Sequence, residues 1–145
     1  LWGRASGKWY RMREYYFDSR KEGRQRTDEE HYTELEKLAD GLHISAVIVD
    51  PSAASFIEVI RRHGRFRVEK ASNAVIDGIR NVATRLQCGD IFICDCCADC
   101  IREFGMYRWD EKALMDKPIK ENDHSMDDVR YFVHKVFAPE LFSFK

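Results

Sequence analysis

Apolar and polar positions alternate at the start of the chain and then switch to helical spacing. Trp9, Arg11, Arg13 and Tyr15 share one parity and Tyr10, Met12, Glu14 and Tyr16 the other, which predicts an antiparallel strand after a turn at Ser6 and Gly7. Only Leu1 to Ala5 precede that turn, so the hairpin reads as beginning partway, with its first strand upstream. After a polar connection over 18–26, Thr27 and Glu30 form a capping-box pattern, and Tyr32, Leu35 and Leu38 supply the inner stripe of a helix that stops at Gly41. Ile44, Val47, Ile48 and Val49 then read as a covered strand ending in Asp50. Pro51 cannot extend a ladder, Ser52 is a plausible helix cap, and helical spacing runs from Ala53 to Gly64.

The same alternation continues. A strand over 66–71 precedes a helix marked by Val75, Ile79, Val82 and Leu86, with Asn73 as its cap and Gly89 beyond its end. Residues 90–94 form a short apolar strand, 99–107 a helix, and 109–120 an irregular stretch containing Pro118. Met126, Val129, Val133 and Val136 mark a last helix, which Asn122 or Asp123 caps. Strand and helix in turn, after an opening hairpin, predict an α/β fold with a mixed β-sheet flanked by helices. The length of 145 residues, 44% hydrophobic, suits one domain over 1–145. No internal repeat is visible.

Charge narrows the picture without identifying a partner. The formal net charge of -1 excludes a globally basic nucleic-acid binder, so phosphate contacts would have to come from local patches. Two present themselves: Arg11, Arg13, Arg20, Lys21, Arg24 and Arg26, and Arg61, Arg62, Arg65, Arg67 and Lys70. Either could equally be a solvated face. No run approaches the roughly 20 apolar residues of a membrane span, and the first residues do not form a signal peptide, so a soluble intracellular protein without a membrane partner is expected. Five cysteines, Cys88, Cys94, Cys96, Cys97 and Cys100, lie close together. Cys97 and Cys100 have zinc-ligand spacing, yet no second ligand pair exists elsewhere, and reduced, partly buried thiols are the expectation. A zinc-stabilised interaction module is the reading this cluster would otherwise support.

The chemistry rests on carboxylates. A strand's C-terminal end in an α/β sheet is where a site belongs, and Asp50 stands there, though it could simply cap the next helix. His124 and Asp127 are three apart on one helix face, with Tyr131 one turn beyond Asp127 and Asp128 directed elsewhere. Asp127 brought against Asp50 would make an oxygen-rich pocket suited to Mg²⁺ or Mn²⁺. The alternative is that Asp123 and Asp127 only stabilise a helix N-terminus.

Several ordered stretches carry a resemblance. Asp50-Pro-Ser-Ala-Ala-Ser-Phe56, Asp77-Gly-Ile-Arg80, Trp109-Asp-Glu-Lys112 and Lys117-Pro-Ile-Lys-Glu-Asn-Asp-His-Ser-Met-Asp-Asp-Val-Arg-Tyr131 closely resemble the C-terminal nuclease domain of the large terminase subunit of tailed bacteriophages. Residues 13–20 and 27–30 fit the same pattern. The resemblance implies a ribonuclease-H-like fold whose first strand, carrying a first acidic ligand, lies upstream of Leu1. The ATPase motor domain would likewise lie outside this chain. It implies a metal-dependent endonuclease that cuts double-stranded concatemeric DNA at initiation and termination of packaging, with a two-metal Mg²⁺ or Mn²⁺ site. Asp50 would be a metal ligand shared between the ions, Asp127 would hold one of them, and His124 would orient water or a ligand. Double-stranded DNA, the phage portal protein and the small terminase subunit are the implied partners, and the cytoplasm of the bacterial host the implied location. Lacking the first acid, the chain itself is expected to cut weakly or not at all. The alternative is a catalytically inert DNA-binding or docking module on the same fold. The cysteines around Cys94 to Cys100 depart from the family pattern.

Overall fold

Ser6 and Gly7 take φ values of 49° and 76°, the paired left-handed conformations of a tight hairpin turn. The computed structural model describes the backbone of residues 1–141 and the side chains of residues 1–137. The turn joins β1 (Trp2–Ala5) to β2 (Lys8–Arg11) in antiparallel register, Trp2 opposite Arg11 and Ala5 opposite Lys8. A four-residue strand within the chain therefore partners β2, which corrects the expectation that too few residues precede the turn to form one. The bonding runs on to Leu1, whose amino group donates to the Arg13 carbonyl and whose carbonyl accepts from the Met12 N–H, both at 2.8 Å. β2 is also shorter than the alternation suggests. After Arg13, which still accepts from Leu1, the Glu14 carboxylate turns to another partner and accepts hydrogen bonds from the Asp99 and Cys100 N–H groups (2.7 and 3.2 Å) in the first turn of a distant helix.

Five strands and six helices follow one another among the described residues. β2 pairs in parallel with β5 (Ile91–Ile93), so the β1-β2-β5 sheet is mixed. β3 (Val47–Val49) and β4 (Val68–Lys70) pair in parallel as a second sheet. The polar connection contains a single turn, α1 (Ser19–Glu22), capped by Asp18. α2 (Asp28–Ala39) starts with the capping box foreseen, Thr27 and Glu30 each bonding the other's backbone N–H. α3 (Ala54–His63) and α4 (Val75–Gln87) begin at Ala53 and Ala74, with no side-chain cap. This corrects the roles given to Ser52 and Asn73, each of which stands one residue before the cap position; Ser52 lies in the turn where its N–H donates to Asp50.

α5 (Ala98–Met106) and α6 (His124–Leu141) complete the order. α6 is the hub: it packs on α4 and α5 and reaches β3. Met126, Val129, Phe132 and Val133 bury its inner stripe against Ile91, Cys97 and Cys100, while Val136 is only partly covered. A second cluster joins Tyr32 of α2, Ile57 and Ile60 of α3, Val49 and Phe66. The N-terminus of α6 is tied to α5 by Glu103, fully buried, whose carboxylate accepts from the Ser125 N–H (2.6 Å) and the Tyr16 hydroxyl (2.7 Å).

Between the two sheets runs a cleft of about 830 Å³. Trp2 and Trp9 line one side, Ala46, Val47 and Ile48 the other, and Phe132 and Val136 of α6 lie between. Among the described residues, β1 and β3 each have one edge with no partner strand, so a strand edge from each sheet borders the cleft. That explains why Val47 and Ile48 are only half-buried where the sequence predicts a covered strand.

Candidate functional site

The end of β3 and one face of α6 meet in a smaller pocket of about 310 Å³. Asp50 enters it from the strand, and His124, Asp127, Asp128 and Tyr131 from the helix. Residues 124, 127, 128 and 131 fall on one face because three- and four-residue steps bring helical side chains into line. Asp128 thus lines the same pocket, which corrects the expectation that it points elsewhere. Arg11 of β2 reaches across to ion-pair with it and hydrogen-bonds its Oδ2.

Asp50 sits in a turn rather than on a helix end. Its Oδ1 accepts from the Ser52 N–H at 2.8 Å, its backbone carbonyl from the Ala53 N–H at 3.0 Å, and its Oδ2 from the Tyr131 hydroxyl at 2.7 Å. The Ser52 N–H and then the Tyr131 hydroxyl hold its pKa below the ordinary carboxylate value. On the other side of that bond, burial first and the carboxylate second push Tyr131 up to about 12. Asp50 is therefore a fixed anion and Tyr131 a fixed donor at neutral pH.

Asp127 is held from its own helix. Arg130, buried to 3% exposure, donates to Asp127 Oδ1 at 2.8 Å and to the Ala74 carbonyl at 3.2 Å. Lys120 approaches Asp127 Oδ2 at 3.7 Å and Asp123 at 3.4 Å. His124 is exposed at the helix start, and the Tyr16 ring tilts toward it at 6.5 Å between centroids. The pocket so assembled offers carboxylate oxygens from two distant segments and one imidazole at its rim. Among the described residues, no three His, Cys, Asp or Glu side chains come close enough together to hold one metal ion. The pocket adjoins the inter-sheet cleft, with which it shares Val47, Ile48, Phe56 and Asp128.

Tyr131 and Arg130 are the members that spacing did not assign a task. The signal was present: each lies one helical turn from Asp127, at i+4 and i+3. What the sequence could not supply is the approach of α4, where Gly78 leaves room for the Arg130 side chain.

The basic stretches carry less free charge than their composition suggests. Arg24 pairs with Glu30 (3.0 Å), Arg26 with Glu34 (3.2 Å), Arg61 with Glu58 (3.2 Å), Arg65 with Glu36 (3.1 Å) and Arg67 with Glu69 (3.0 Å), while Arg62 pairs with Glu29. They are largely compensated faces. Cys97 and Cys100 are fully buried in the α6 core, whereas Cys88 and Cys96 are exposed. No helix among the described residues is long and apolar enough to cross a membrane.

Comparison with known proteins shows likeness to phage terminases. The chain is 24% identical over 128 residues to the terminase large subunit of Escherichia phage T5, a match covering 84% of this chain and 29% of that protein. The large terminase of a thermophilic bacteriophage, solved in complex with ADP, superposes with a TM-score of 0.91 at 48% identity, over 98% of this chain and 36% of its own. A second crystal form of the same thermophilic phage protein gives 0.90, also at 48% identity, over 94% and 35%. The chain thus spans roughly a third of the length of these relatives. No protein-family model matches it.

Proposed function

We propose, on the premise that this chain belongs to the large terminase family of bacteriophages, that it is the segment that cuts double-stranded DNA during packaging. The observation that supports this best is the convergence of Asp50 and Asp127, one from a strand end and one from a helix, in a single pocket with His124 at its rim. Like charges gathered in one pocket oppose each other unless a cation lies between them.

Carboxylate oxygens suit hard divalent cations, so Mg²⁺ or Mn²⁺ fits the donor type. The donor number is incomplete among the described residues, and a further ligand would enter from the adjoining cleft. When bound, such ions polarise a phosphate and lower the pKa of water. The chain's own residues would do the rest. Asp50 and Asp127 would hold the ions, Asp50 already oriented by the Ser52 N–H and the Tyr131 hydroxyl, while the exposed His124 imidazole would orient water beside the scissile phosphate. On this reading the partners are double-stranded DNA, the portal protein and the small terminase subunit, in the cytoplasm of the bacterial host.

A second reading, a docking or DNA-binding module without catalysis, is favoured by one feature. Arg130 and Lys120 already compensate Asp127 without any ion. Nicking of supercoiled plasmid with Mn²⁺ or Mg²⁺ separates the two, measured in a polypeptide long enough to supply the further ligand. Asp50→Asn and Asp127→Asn should each abolish cutting and His124→Ala should weaken it less. Cutting at the unsubstituted rate in both Asp variants refutes the nuclease reading.

A further inference from the structure

We propose that Arg130 and Tyr131, consecutive on α6, are positioning residues that orient the two acids of the pocket, Tyr131 acting on Asp50 and Arg130 on Asp127. The inference rests on the nuclease reading above and names how that site is set. An aspartate carboxyl rotates broadly about its last torsion, so two acids on separate elements do not present a defined ligand geometry unless each is gripped. Here each is. The Tyr131 hydroxyl fixes Asp50 Oδ2 at 2.7 Å across 81 residues of sequence, while the Ser52 N–H fixes Oδ1 at 2.8 Å. The Arg130 guanidinium fixes Asp127 Oδ1 at 2.8 Å and is itself anchored on the Ala74 carbonyl at 3.2 Å.

Neighbouring residues on a helix point about 100° apart. One therefore reaches over to β3 and the other back along α6 toward α4. The guanidinium also lies over the Tyr131 ring, 4.8 Å from its centroid, which couples the two grips. Helix α6 thus carries one acid as its own residue and holds the other through the phenol of its next turn. Outer partners of this type orient metal ligands, and their loss costs about 10 to 100-fold in metal affinity.

The test is a titration with Mn²⁺ alone of a polypeptide long enough to supply the further ligand, free ion being read by electron paramagnetic resonance, together with its melting temperature without metal. Tyr131→Phe keeps the ring and removes only the donor. It should weaken Mn²⁺ binding about 10-fold in protein that is still fully folded, with the metal-free melting temperature lowered only by the loss of one hydrogen bond; a merely structural bond would lower the melting temperature and leave the Mn²⁺ affinity of the folded protein unmoved. Arg130→Lys keeps the charge but loses the fork, and should weaken binding several-fold. Asp50→Asn should abolish it. Unchanged affinity in Tyr131→Phe alongside lost binding in Asp50→Asn overturns the positioning role and leaves the nuclease reading standing. Binding unaffected by Asp50→Asn, or none in that unsubstituted longer polypeptide at millimolar Mn²⁺, overturns both.

Discussion

Arg130 lies directly over Gly78: a Cβ added at 78 would come within 2.5 Å of Arg130 Cγ and 2.7 Å of its Cδ. This close approach is where α4 meets α6, and it is what lets the guanidinium settle on the Ala74 carbonyl and Asp127 together. Gly78→Ala should therefore destabilise the protein, although alanine is favoured over glycine inside a helix by about 1 kcal/mol. Overpacking of this kind costs about 1 to 3 kcal/mol, and both clashing atoms belong to a side chain with 3% exposure that cannot simply swing into water. Urea denaturation checks it, and a midpoint at or above that of the unsubstituted protein contradicts the packing.

Glu103 should matter more than its helix position suggests. Its carboxylate is fully buried and serves the Ser125 N–H at the start of α6 and the Tyr16 hydroxyl. Glu103→Ala would leave a buried backbone donor unpaired, at a cost of about 1 to 3 kcal/mol beyond the lost packing. Glu103→Gln keeps one acceptor oxygen and should lose less. Equal midpoints for the two variants in chemical denaturation would show that the carboxylate is not what ties the helices together.

Much of this was legible from residue order, and the remainder has physical reasons. The Thr27–Glu30 capping box, the α6 stripe and the Asp50 strand end are local patterns, in which hydrogen bonding and periodicity act within a few residues. The failures are non-local. Ser52 lies instead in the turn at Asp50, to which its N–H donates, and the helix starts one residue later than a Ser52 cap requires, which only the fold shows. The ion pair of Asp128 with Arg11 spans 117 residues, a pairing that helix spacing alone cannot register. The ion pairing of the arginine-rich faces is likewise set by which helices lie side by side.

The five thiols should divide by environment. Burial, the largest influence, pushes Cys97 up to about 11 and Cys100 up to about 12, so little thiolate forms at neutral pH. Cys88 and Cys96 are exposed. Iodoacetamide at pH 8 should label Cys88 and Cys96 first, and Cys97 and Cys100 only after denaturation, as read by peptide mass spectrometry. Labelling of Cys100 as fast as Cys88 in the folded protein would contradict the buried placement.

The Asp50–Tyr131 bond predicts opposite pH limits. Asp50 has its pKa lowered in the folded state, so its contribution to stability is present above the ordinary value of 3.8 and is lost as pH falls through the depressed one. Tyr131 is raised to about 12, so its contribution is full below the ordinary value of 10.0 and disappears as pH rises through about 12. The stability difference between the unsubstituted protein and Tyr131→Phe should accordingly be flat from about pH 5 to pH 9 and shrink at both extremes. A difference that grows toward pH 12 would show that the phenol is not the donor.

The cleft between the sheets makes the last prediction. In β3, the Val47 N–H bonds to Arg67 and the Val49 carbonyl accepts from Ala71, both at 2.8 Å, so these groups serve β4. By the alternation of a parallel ladder, the N–H and C=O of Ile48 point the other way, into the cleft, and alternate groups of β1 point away from β2. One extended segment lying between Trp2 and Ile48 would pair with both edges, join the two sheets and cover the half-exposed flank of β3. Because the cleft adjoins the acidic pocket along Val47 and Ile48, a carboxylate on that segment would stand beside Asp50. The relatives it matches are about three times longer than this chain. Extending the polypeptide before Leu1 by roughly 15 to 25 residues, enough for one strand and its turn, should raise the melting temperature and restore metal-dependent plasmid cutting together. The 145-residue chain should meanwhile cut poorly with Mg²⁺, which demands near-ideal octahedral geometry, and should self-associate through its open edges. Equal cutting rates for the two polypeptides would mean that Asp50 and Asp127 suffice without a third acid.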